Sequence, residues 1–116
     1  MQNEFICSIT DVELKNTPFG YTLSLIQGKY KMIILYWLNE NNGVMRFNAL
    51  QRKIGNISYK TLSNTLKELE QDHLVLRKEY VQIPPKVEYI MTARGLSLIP
   101  ILDMMCNWGK AHQNKD

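Results

Sequence analysis

The sequence predicts an α+β fold, mostly helical: a winged helix-turn-helix followed by a long C-terminal helix. Three observations carry that expectation. In ISYKTLSNTLKELEQDHLV, residues 57–75, Leu62, Leu66 and Leu69 recur four and three apart, the stripe with which a helix packs on a core. A shorter helical pattern, NALQRKI, precedes it across the tight connection GNIS, and two helices joined so closely form a helix-turn-helix candidate. Downstream, LVLRKEYVQ and KVEYIMT are rich in Val, Ile and Tyr and flank IPPK, which reads as two antiparallel strands with a proline-stiffened tip.

The rest of the chain fits around these elements. At 116 residues it is one domain, and 45% apolar with 22% charged residues argues against general disorder. No repeat or linker divides it. Residues 1–16 read as an arm with a short helical turn, 17–92 as the winged helix-turn-helix, and 93–116 as the terminal helix and tail of the same domain. Pro18 and Gly20 open a short apolar segment that Gly28 stops. Residues 29–40 are helical and apolar on most sides, so this helix belongs in the domain centre, and NENNG ends it. VMRF reads as a very short strand leading into a helix over 48–54 with Asn48 as its N-cap. Ser58 is the natural cap of the next helix, which runs to about Asp72.

From Thr92 a single long helix is expected through ARGLSLIPILDMMCNWGKAH, with Pro100 kinking it or marking a local irregularity because the ring removes a backbone donor. Its apolar girth, from Leu96 through Leu98, Ile101, Met104 and Met105, exceeds what one side of a small domain can cover. Such an excess marks an interface, and a two-fold homodimer is the simplest solution.

A net charge of +3 is only weakly informative; the placement of the charges says more. Turning the leucines inward puts Lys60, Asn64, Lys67 and Gln71 outward with Ser63 at the flank, while Glu68, Glu70 and Asp72 all come late. The first turns of a recognition helix are the ones that enter a DNA major groove. There Asn64 can pair bidentately with adenine, and Lys60 or Lys67 can reach guanine or phosphate. Ser58, Tyr59 and Ser63 suit phosphate or base-edge hydrogen bonds. A merely solvated helix also has a polar outer face, but basic residues recur on neighbouring elements. Arg46, Arg52 and Lys53 lie on or beside the preceding helix with Asn48, and Arg77, Lys78 and Lys86 on the wing. The DNA-binding candidates are therefore Arg46, Asn48, Ser58, Tyr59, Lys60, Ser63, Asn64, Lys67, Lys78 and Lys86.

From about residue 17 to 109 the chain resembles the HxlR-type winged-helix transcription regulators, relatives of the MarR group. The resemblance rests on LIQGKYKMIIL (usual form I-G-G-K-W), RFNAL (R-F-N-E-L), the KTLSNTLKELEQDHLV stretch, PPKVEYIMTARG, and LDMMCNWG (L-x-x-L-C-x-W-G). It implies a homodimeric DNA-binding regulator, with residues 58–67 as recognition helix and 75–91 as wing. The family commonly has Cys-Pro before its first helix, a cysteine that senses oxidants or electrophiles in some members; here the pair is Thr17-Pro18. Gln27 and Tyr30 replace a usual Gly and Trp.

Two cysteines cannot make a disulfide framework, and a reducing cytosol is the expected compartment. Cys106 reads first as a buried packing thiol; the sharper reading pairs it with the partner's Cys7 in a thiol-based redox switch. His73 is expected at the end of the recognition helix, its ring near free carbonyls. Tyr30, Tyr36 and Trp37 fall on the central helix as core aromatics, with a small-molecule effector pocket between that helix and the last one as the alternative. No catalytic constellation, metal set, cofactor motif or membrane span is legible. The expected function is a sequence-specific regulator, more a repressor than an activator, binding double-stranded DNA as a dimer. The rival is a winged helix that docks protein instead.

Overall fold

The computed structural model describes residues 11–113. Their elements are α1 (Asp11–Leu14), α2 (Pro18–Ile26), α3 (Lys31–Glu40), β1 (Val44–Arg46), α4 (Phe47–Ile54), α5 (Tyr59–Gln71), β2 (Val75–Tyr80), β3 (Lys86–Met91), α6 (Ala93–Leu96) and α7 (Ile99–His112).

The segment after Pro18 forms a helix because its start is well capped. The Thr17 hydroxyl accepts from Gly20 N at 3.0 Å and donates to the Leu14 carbonyl at 2.7 Å. Pro18, with no amide hydrogen to lose, occupies the first turn. Thr17, in the place of the usual cysteine, thus has a structural task of its own.

Helix α3 is the hub, as its all-round apolar pattern predicts. It touches α2, α4, α5, α7, β1 and β3. Ile34, Leu35 and Leu38 are fully buried in it, facing Leu50 of α4, Leu62, Leu66 and Leu69 of α5, and Leu74. The aromatic trio divides differently from expectation. Trp37 and Tyr30 are packed against the core, but Tyr30 is the residue preceding α3, and Tyr36 is exposed, edge-on to Trp37. The helix ends as NENNG predicts: Asn42 and Gly43 take positive φ, and the Asn41 amide donates to Val44 O at 2.8 Å.

The wing is a three-stranded antiparallel sheet in the order β1-β3-β2. Val44 pairs with Ile90 and Arg46 with Glu88 on one side of β3; Leu76 pairs with Ile90 and Lys78 with Glu88 on the other. Alternation then sends Val75, Tyr89 and Met91 to the core and leaves Leu76 and Lys78 exposed.

Two boundaries correct the sequence reading. Helix α4 begins at Phe47 with Arg46 in the cap position, so Asn48 lies within the first turn rather than capping it. The C-terminal helix is not continuous: of the two expectations for Pro100, the local irregularity is the one found. A short α6, capped by the Thr92 hydroxyl on Gly95 N, ends at Leu96, and α7 starts at Ile99 with Pro100 in its first turn. Proline is favoured at that position because its missing donor would be unpaired there anyway. Leu98 and Leu102 are buried in the protomer, whereas Ile101, Met104, Met105 and Trp108 form an exposed stripe, Met104 at 67% and Trp108 at 66%.

The α6 turn packs so closely on the strand entrance that Gly95 has no room for a side chain: an added Cβ would collide with the Leu74 carbonyl oxygen. Gly95→Ala should therefore destabilise the fold by about 1–3 kcal/mol, as overpacking of a tight site does. Chemical denaturation of the two proteins checks this.

Candidate nucleic-acid interface

The helix-turn-helix is held at its turn by backbone-directed bonds. Gly55 ends α4 with φ 91°, a conformation that favours glycine. The Tyr30 hydroxyl then donates to Asn56 O at 3.1 Å, and the Gln51 side-chain amide to Ile57 O at 3.2 Å. Sequence reading assigned Tyr30 to core packing and missed this anchor; a phenol whose partner is a backbone carbonyl 26 residues away leaves no local pattern.

Ser58 caps α5 as expected. Its hydroxyl accepts from Thr61 N at 3.0 Å and lies 3.0 Å from the Thr61 hydroxyl. At the far end, Arg94 donates to Asp72 O at 3.0 Å and to the Tyr21 hydroxyl at 2.6 Å. The Thr92 hydroxyl donates to His73 O at 2.7 Å. His73 takes φ 61° and is exposed; its carbonyl, not its ring, makes the connection.

Between α4, α5 and the hairpin opens a cleft of about 710 Å³. It brings together Arg46, Asn48, Tyr59, Ser63, Lys67 and Lys86 of the predicted set, and adds Arg52, Glu70 and Arg77. Phe47 also lines it, with its ring 4.8 Å from Tyr59 and 6.4 Å from Tyr89. Lys60 and Asn64 are exposed outside the cleft; with Lys67 they follow at helical spacing along one face of α5. Ser58 lies outside the cleft, engaged in capping, and Lys78 also lies outside it, with its ammonium 5.0 Å from the Tyr80 ring. Lys53, counted with the basic set, turns instead to Trp37, 5.0 Å from its ring. Cys7 and its proposed pairing lie outside the described residues. Cys106 is exposed in the protomer, which corrects the buried-thiol reading.

The late acids do not behave alike. Glu68 pairs with Lys31 at 3.4 Å, and Asp72 gives its carbonyl to Arg94, but Glu70 lines the cleft itself. On the wing, Arg77 pairs with Glu79 at 3.2 Å and Lys86 with Glu88 at 3.7 Å. Hydrogen bonds with neighbouring Tyr89, then Glu79, push the Arg77 pKa above its ordinary value. The side chains of Arg46, Arg52, Lys60 and Lys67 form no ion pair among the described residues. Among those residues no group of three His, Cys, Asp or Glu side chains is placed to hold a metal, and no helix is long and apolar enough to cross a membrane. The two cavities described, this cleft and a shallower one between Asn39, Val44, Ile90 and Leu96, do not lie between α3 and α7.

A capped second helix, a rigid turn before it and a hairpin beside it make this a winged helix-turn-helix protein. A family model described as HxlR-like helix-turn-helix matches residues 25–116, and the chain belongs to that family of transcription regulators. An HTH-type transcriptional regulator of Halalkalibacterium halodurans, BH0655, is 58% identical over 101 residues, covering 87% of this chain and 88% of that one. The solved HTH-type transcriptional regulator ytcD superposes with a TM-score of 0.79 at 42% identity, over 85% of this chain and 99% of that one. The redox regulator HypR in its reduced form gives 0.79 at 40% identity, over 84% and 95%.

Ser58→Ala should cost about 1 kcal/mol of stability by removing the cap, before any effect on a partner is considered. Urea unfolding of the free protein measures it.

Proposed function

We propose that the chain regulates transcription as a homodimer binding a near-palindromic operator, as a repressor. The observation that carries the DNA reading is the pattern of ion pairing. Arg46, Arg52, Lys60 and Lys67 have no ion-pair partner among the described residues, while Glu68, Glu79 and Glu88 are engaged elsewhere. Cations left without internal partners on three neighbouring elements suit a polyanion such as duplex DNA. Lys60, Asn64 and Ser63 would read base edges, and Arg46, Asn48, Tyr59, Lys67, Lys78 and Lys86 would meet the backbone. Ser58 contributes by holding the first turn in shape. No cofactor enters this account, and any small-molecule effector is unidentified.

The exposed stripe of Ile101, Met104, Met105 and Trp108 supports the dimer, since an apolar surface of that kind is normally covered. Two-fold pairing would set the two α5 helices about one DNA turn apart. A second reading, a thiol-responsive regulator, is favoured by the exposure of Cys106 on this same helix. Oxidant should then give a disulfide-linked dimer on non-reducing gels that Cys106→Ser abolishes. A monomeric band with unchanged operator affinity ends that reading.

Wild-type protein should shift a random-sequence duplex at low ionic strength and release it steeply with salt; failure to bind any duplex removes the DNA reading. Asn64→Ala should cost about 1–3 kcal/mol on the promoter fragment upstream of the protein's own gene and little on random DNA. Equal losses on both would show that Asn64 is not a base reader. Trp108→Glu should convert the dimer to monomer in sedimentation.

A further inference from the structure

We propose that Asn42 is a site of spontaneous deamidation gated by the turn that ends α3, and that its isoaspartyl product unfastens this turn from β3. The inference is independent of the DNA reading, since it uses only the chemistry of the chain.

Asn42 is followed by Gly43, and no other asparagine of the sequence is followed by glycine. A following glycine has no side chain to keep its backbone nitrogen from the asparagine amide. That nitrogen, deprotonated by hydroxide, attacks Cγ of Asn42. The bond from Cγ to the side-chain nitrogen breaks, ammonia leaves, and a succinimide ring closes. Water then opens the ring at either carbonyl, giving aspartate, or isoaspartate with the main chain running through Cβ. Water and hydroxide are the only co-reactants.

The three asparagines of NENNG are not equivalent in the fold. Asn39 lies inside α3, where the following amide belongs to the helical ladder. Asn41 is held by its side chain, which donates to Val44 O at 2.8 Å, and the amide after it donates to Asn39 O at 3.3 Å. Asn42 is exposed, and its side chain makes no hydrogen bond among the described residues. A carbon built onto Gly43 meets nothing within 4 Å, so the ring has room to form.

What the fold withholds is the nucleophile. Gly43 N donates to Leu38 O at 2.7 Å, and with the Asn42 bond to Asn39 O this makes a Schellman ending, Asn42 at φ 62° and Gly43 at φ 89°. An amide bound in this way must be released before it can lose its proton and reach Cγ. Such release is a local opening and does not require global unfolding.

Isoaspartate adds a main-chain carbon between residue 42 and Gly43. Gly43 then cannot both donate to Leu38 O and accept from Met91 N, a 2.7 Å bond beside the pairing of Val44 with Ile90. Because β1 runs directly into α4, a loosened turn loosens the entry to the helix-turn-helix.

The test incubates wild-type protein at mildly alkaline pH, folded and in guanidinium chloride, and maps its peptides by mass spectrometry with isoaspartyl methyltransferase labelling. Hydrogen exchange of the Gly43 amide is followed in the folded protein. Product should appear first at residue 42, about tenfold or more faster in guanidinium chloride than in the fold, as a rapid opening equilibrium imposes. Sub-denaturing guanidinium chloride should speed Gly43 exchange and folded deamidation in proportion. Asn42→Gln, whose longer side chain closes a ring far less readily, should give no product at that position. The isolated isoaspartyl protein should melt below the unmodified one. Equal rates in the fold and in guanidinium chloride, earlier product at another asparagine of the folded protein, or an Asn42 that stays intact when unfolded each overturns the gated site. An isoaspartyl form that melts with the unmodified protein overturns the unfastening.

Discussion

Burial of one leucine stripe sets everything that the surface of α5 can do. Leu62, Leu66 and Leu69 are completely enclosed against α3 and the strand entrance at Leu74 and Val75. Each such side chain contributes about 1.5–3 kcal/mol relative to exposure. Rotating the helix enough to expose all three would cost an amount comparable with the whole net stability of a small domain, about 5–15 kcal/mol. The outward presentation of Lys60, Asn64 and Lys67 is therefore enforced by the core. It does not depend on any interaction those polar residues make.

The two ends of α5 are fixed by different means. At the front, the Ser58 cap and the Tyr30 and Gln51 bonds to the turn tie the helix to α3 and α4, inside the same packed unit. At the rear, Arg94 and Thr92 tie it to the α6 turn, and Arg94 extends the chain of bonds to Tyr21 on α2. Only Ser97 and Leu98 separate α6 from α7, the helix with the exposed apolar stripe. The rear of α5 is thus joined to the segment preceding α7 by a few hydrogen bonds and the tight approach at Gly95, and the front is fastened to the core.

Periodicity made the central helix, the helix-turn-helix and the hairpin legible, because each buries one face and the burial imposes its period on the sequence. The misreadings of local structure fall where a contact between distant segments decides. Asn48 has the right chemistry for a cap, but pairing of β1 with β3 carries the strand through Arg46 and starts the helix at once with Phe47. Pro100 resembles a kink until the Gly95 approach turns the chain at Ser97 and Leu98, which makes it a first-turn residue. The same limit applies to the interface. Helical spacing identified the outward residues of α5, yet the convergence of Arg52, Glu70 and Arg77 on one cleft depends on how three elements pack. Sequence order reads Glu70 as lying behind the cations; in space it stands among them.

The pattern of pairing can be weighed energetically. An exposed ion pair contributes about 0–1 kcal/mol to folding, so leaving Arg46, Arg52 and Lys67 unpaired sacrifices little stability. Acids elsewhere are engaged: Glu68 with Lys31 at the start of α3, and Glu88 with Lys86 on its own strand and with Tyr80 across the hairpin. Against a polyanion such as a duplex, unpaired cations of this kind would gain the entropy of released counterions, one contribution for each phosphate neutralised. Folding is nearly indifferent to where these charges find partners, whereas binding is not. The chain thus leaves Arg46, Arg52 and Lys67 without ion pairs among the described residues, side by side at one cleft, at little cost to folding.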